Sequence, residues 1–93
     1  MEFKELQEKI KRKYYEIDKK SEDLFLLSVL FEEVGELAEA VRKGNKDKIS
    51  VELADVIFIT LSLANYFKID NLEEIIVQKY IEDDPSSKWD LRY

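Results

Sequence analysis

An all-α fold, a four-helix bundle completed by oligomerisation, is what this sequence predicts, and three observations carry that reading. Apolar residues recur at spacings of three and four through successive segments of the 93-residue chain. Only two glycines and one proline interrupt it, too few for the turns of a sheet protein. The composition, 45% hydrophobic and 39% charged, suits long amphipathic helices. The length fits a single domain over 1–93, near the small end of what buries a useful core alone, so association with further copies is expected to supply the rest.

The first helix is expected over about 2–18, where Phe3, Leu6, Ile10, Tyr14 and Ile17 form one apolar stripe. Lys9 to Lys13 form a basic run, but Glu2, Glu5, Glu8 and Glu16 surround it, so it reads as a solvated face. Ser21 is the expected N-cap of a second helix over 21–42, with Glu22 and Asp23 favouring the positive end of its dipole. Leu24, Leu27, Leu30, Val34, Leu37 and Val41 are its expected core stripe, and Gly44 its stop. Asn45 or Asp47 caps a third helix over 48–67 that is apolar nearly all round, which belongs in the middle of a bundle. A fourth helix over 71–82 opens at Asp70 or Asn71 and ends before Pro85. In the tail, 83–93, Trp89 and Tyr93 are large aromatics, expected to dock on a neighbouring subunit or to cover a ligand.

Charge and composition exclude several classes of function. A net charge of −6, with no Lys-rich stretch free of acid, argues against binding a nucleic-acid polymer along its backbone. There is no cysteine, hence no disulfide framework or thiolate site. No leader or membrane span is expected, because Glu52 and Asp55 interrupt the longest apolar stretch, and the cytoplasm is the expected location.

The chemistry concentrates between Glu32 and Asp55. Glu33 and Glu36 lie three apart in one helix, Glu52 and Asp55 three apart in the next, and each pair falls within an apolar helical pattern. At about 100° per residue, Glu33 projects within about 20° of Leu26 and Ala40. Carboxylates removed from water cost several kcal/mol unless paired or bound to a cation, so four on two adjacent helices imply a shared divalent ion. Residues three apart share a helix face, and a short turn sets the two pairs opposite each other. Oxygen-only donors suit Mg²⁺, with Mn²⁺ as a substitute, better than Zn²⁺. The chain has no histidine, which argues against a ferritin-like di-iron site and a triad of the usual type.

The segments EEVGELAEA (32–40) and VELADVIF (51–58), with 15 residues between Glu36 and Glu52, resemble the EExxE and ExxD signature of MazG-type nucleotide pyrophosphohydrolases, an all-α NTP pyrophosphatase superfamily. The similarity extends from about Ser21 to Lys79. The resemblance implies that Glu33, Glu36, Glu52 and Asp55 are metal ligands. It implies cleavage between the α and β phosphates of a nucleoside triphosphate, giving the monophosphate and pyrophosphate, in nucleotide-pool housecleaning. Glu32 would support catalysis by orienting water or a ligand, Lys79 would contact phosphate oxygens, and the assembly would be a homodimer or homotetramer. Two departures stand out: Asp83 occupies a position where relatives often carry asparagine, and positions near Ile17 and Lys43 lack the aromatics of pyrimidine-selective relatives. Phosphoribosyl-ATP or a modified nucleotide is the alternative substrate, and a non-catalytic metal-binding assembly module the alternative function.

Overall fold

The structure, a computed structural model, describes residues 1–83; the tail aromatics Trp89 and Tyr93 lie outside the described residues. The described residues form helices joined by short turns and contain no strand. They are α1 (Phe3–Asp18), α2 (Asp23–Lys43), α3 (Lys46–Tyr66) and α4 (Leu72–Ile76), which continues as a π-helical turn over Val77–Ile81. α3 is central and packs on both α1 and α2. Its buried residues are Glu52, Ile59, Leu61, Ser62, Ala64 and Asn65. By length and composition α3 is apolar enough to cross a membrane. Its buried polar residues and its helical neighbours on two sides are those of a bundle's middle helix.

The turn that pairs α2 with α3 is explicit in the sequence. Gly44 takes the left-handed conformation, with φ 68°, which any side chain disfavours even though the space beside its Cα is open. Asn45 N–H returns to Ala40 O at 3.3 Å and Gly44 N–H to Val41 O at 3.0 Å, so these two carbonyls of the last turn of α2 are satisfied. Asn45, rather than Asp47, then caps α3, its Oδ1 accepting from Lys48 N–H at 3.1 Å. Two helices reverse direction within a single turn.

Three expectations change. Ser21 is not the N-cap of α2; Glu22 occupies that place without a side-chain cap bond, and Asp23 Oδ1 accepts from Leu24 N–H at 2.7 Å instead. The expected stripe of α2 is rotated. Leu26 and Ala40 are its buried residues, while Leu24, Val34 and Val41 are exposed, because a single partner helix covers only part of an apolar sector this wide. The fourth helix is regular for only five residues before it widens into the π turn that carries Lys79.

α1 is fastened to α3 by aromatic and amide contacts. Tyr14 meets Phe58 edge to face at 4.9 Å between ring centroids. Gln7 Nε2 donates to Asn65 Oδ1 at 3.0 Å and to Ile69 O at 2.8 Å.

Candidate metal centre

Because α2 and α3 run back from one tight turn, residues placed similarly before and after it come face to face. Carboxylate oxygens of Glu33, Glu36 and Glu52, one from each, lie within 4.8 Å of one another. Glu52 is 2% exposed, Glu33 is half-buried and Glu36 is exposed, so the cluster runs from the helix interface out to water. Asp55, three residues beyond Glu52 on α3, is half-buried and lies outside that trio, yet its charge acts on Glu33.

The electrostatics follow from crowding. Glu33 is raised to about 7, first by burial and then by the charges of Glu36, Asp55 and Glu52. Glu36 is raised chiefly by the adjacent Glu52 carboxyl, with Glu32 adding to the effect and Lys48 opposing it. Two buried carboxylate oxygens, Glu33 Oε2 and Glu52 Oε2, have no hydrogen-bond partner. Such orphans are rare in folded proteins because each loses its water without replacement.

A hard divalent cation fits these residues on all three counts. It would satisfy both orphaned oxygens, relieve the repulsion that raises Glu33, and find only oxygen donors. Glu33, Glu36 and Glu52 are the residues able to hold it together, with Asp55 within electrostatic reach.

The remaining candidates are placed differently. Glu32 is exposed on α2, and its charge is felt at Glu36. Lys79 lies on the π turn with its ammonium 5.4 Å from the centre of the Tyr80 ring. Among the ion pairs of the described residues, Lys79 joins none of the four acids. Lys48 does so. Its Nζ is 3.2 Å from Glu52 Oε1. Sequence reasoning passed over this residue, although the i,i+4 spacing of Lys48 and Glu52 was a readable signal.

A helical bundle carrying a cluster of carboxylates across two paired helices defines a class of oxygen-donor metal-site candidates. The profile of the MazG nucleotide pyrophosphohydrolase domain matches residues 21–87, well over half of the chain, and the protein belongs to that family. Comparison with curated proteins and with solved structures gives no match.

Proposed function

We propose that the protein is a Mg²⁺-dependent nucleoside triphosphate pyrophosphohydrolase, cleaving between the α and β phosphates to give a nucleoside monophosphate and pyrophosphate. Family membership supports the reaction class. The single observation that carries the metal requirement is the pair of orphaned buried oxygens on Glu33 and Glu52 inside the acidic cluster. Glu33, Glu36, Glu52 and Asp55 are the proposed ligands. Mn²⁺ is expected to substitute, since the donor chemistry is the same. When bound, the metal supplies neutralisation of the polyphosphate charge and activation of water.

The chain's own residues divide the remaining work. Glu52, held between the helices, anchors the site, while exposed Glu36 borders the solvent from which substrate arrives. Glu32 is proposed to orient the attacking water or a ligand. Lys79 is proposed to bind phosphate oxygens. Its place on a π turn is consistent with that role, because such turns recur at functional positions.

A homodimer or homotetramer is part of the proposal. Leu24 and Phe31 of α2 are 69% and 67% exposed, and Leu53 and Ile57, one turn apart on α3, are exposed as well. A second copy covering these residues would complete the core that one chain leaves open. The cytoplasm, where nucleotides and Mg²⁺ are abundant, is the proposed compartment, and housecleaning of unwanted nucleotides the proposed role.

The test is a panel of nucleoside triphosphates, including modified ones, incubated with protein and Mg²⁺ and assayed for inorganic pyrophosphate. Release dependent on Mg²⁺ supports the proposal. No release from any member favours the non-catalytic assembly module.

A further inference from the structure

The acidic cluster already has a cation of its own. Lys48 stands in the first turn of α3, where the Asn45 cap accepts from its backbone N–H and so fixes the turn that carries it. From there its side chain reaches one turn along the helix to Glu52, with Nζ 3.2 Å from Oε1. The two ends of this pair differ sharply in environment: the Glu52 side chain is 2% exposed and that of Lys48 59%. The carboxylate is fixed in the interface, whereas the ammonium reaches it from water.

Helix stability does not account for the lysine. A cation in the first turn opposes the helix dipole, and a lysine preceding its glutamate by four residues is the weaker orientation of that pair. The cluster's charge does account for it. Lys48 is the positive charge that opposes the rise of Glu36, and it is itself raised by its contact with Glu52 and by the charges of Glu36 and Asp55.

We infer that Lys48 is a tethered counter-cation of the acidic cluster, pairing with Glu52 in the metal-free protein, leaving that carboxylate when a divalent ion binds it, and then turning to phosphate oxygens. This rests on the metal-site reading above. The Glu52 carboxylate is the shared group: Lys48 holds Oε1, while Oε2 has no partner. A dication on this carboxylate and an ammonium beside it repel each other, so the two compete for Glu52. The flexible side chain, 59% exposed, leaves the ammonium free to swing toward solvent. Lys48 thereby weakens metal binding in the absence of substrate and strengthens the binding of a phosphate chain in its presence.

Lys48→Met, Lys48→Arg and the unaltered protein are compared in two titrations, with circular dichroism confirming the helix content of each. In the first, Mn²⁺ is added to metal-free protein without nucleotide and followed by electron paramagnetic resonance. Lys48→Met is expected to bind Mn²⁺ roughly tenfold more tightly at low salt, as removal of a unit charge close to a dication implies, and Lys48→Arg to stay near the unaltered value. Equal or weaker binding by Lys48→Met overturns the inference while leaving the metal site standing. Failure of every form to bind Mn²⁺ overturns both. In the second, inorganic pyrophosphate is titrated calorimetrically at saturating Mg²⁺, and Lys48→Met is expected to bind it several-fold more weakly. Equal binding, or none by the unaltered protein, overturns the phosphate role.

Discussion

Gln7 and Asn65, 58 positions apart, bind each other reciprocally: Gln7 Nε2 donates to Asn65 Oδ1 at 3.0 Å, and Asn65 Nδ2 donates to Gln7 O at 3.3 Å. Both residues are buried. Gln7 also holds the Ile69 carbonyl, next to Lys68, whose φ of 58° is a left-handed conformation unusual for a residue with a side chain. The amide pair therefore fixes the position of α1 against the end of α3.

Breaking this pair on one side leaves buried polar groups unsatisfied. Gln7→Ala and Asn65→Ala are each expected to lower unfolding free energy by about 1–3 kcal/mol. The double variant should lose less than the sum of the two, because the second substitution removes a partner already orphaned. Urea denaturation of the four proteins measures the coupling. Strict additivity would contradict the reciprocal contact.

Metal-free stability should fall with rising pH. Glu33 is raised to about 7 in the folded chain from an ordinary value of 4.5, so the folded state holds a proton there that the unfolded state releases. That contribution is fully present below about 4.5 and disappears as pH rises through about 7. In chelator, the melting temperature is expected to be higher near pH 5.5 than near pH 8, apart from other titrations, and Glu33→Gln should flatten this difference. Mg²⁺ or Mn²⁺ should raise melting most at the higher pH, by binding the ionised cluster of the folded state. A shift that survives in Glu52→Gln, Asp55→Asn would mean that the ion binds elsewhere.

Why the sequence revealed so much of this site, and less of its surroundings, follows from what periodicity encodes. The Gly44-Asn45 turn was readable because a left-handed helix end and a cap each favour particular residue types, and the facing of Glu33 toward Leu26 and Ala40 follows from helix geometry alone. Gln7 and Asn65 carried no such signal. Each is one polar residue in an amphipathic pattern, and only the three-dimensional approach of α1 to α3 makes partners of them. Lys48 stood behind Lys43 and Lys46, both nearer in sequence to the turn, until the cap bond of Asn45 set the start of α3. The exposure of Leu24, Val34 and Val41 reflects a limit of another kind: a helical wheel states which residues share a direction, and not whether one chain contains enough partners to cover it.

That uncovered face leads to a mass prediction. At micromolar concentration, sedimentation equilibrium should give two or four times the 11.1 kDa of the chain. Charged replacements on the open face, such as Phe31→Glu with Leu53→Lys, should shift the mass toward one chain. A monomeric unaltered protein would remove oligomerisation from the proposal.

The position of bond cleavage separates a pyrophosphohydrolase from a phosphatase that merely uses the same ions. With the carboxylates holding the metal against the triphosphate, water is expected to attack the α phosphorus, with pyrophosphate as the leaving group. The ligands would then act mainly by stabilising charge that develops in the transition state, so their loss should lower turnover far more than stability. Glu33→Gln, Glu36→Gln, Glu52→Gln and Asp55→Asn are each expected to reduce turnover by about a hundredfold or more. Lys79→Ala should be intermediate. Glu39→Gln should be mild, because Glu39 already pairs with Arg42 at 2.7 Å and Lys43 at 3.2 Å on the exposed side of α2. The amide variants keep side-chain size while removing charge from a crowded cluster, so some should melt higher than the unaltered protein when no metal is present. Hydrolysis in ¹⁸O-labelled water reads the point of attack directly. Label in the monophosphate establishes attack at the α phosphorus; label only in pyrophosphate, or release of single phosphate from a remaining diphosphate, would place the chemistry at another bond and end this mechanism.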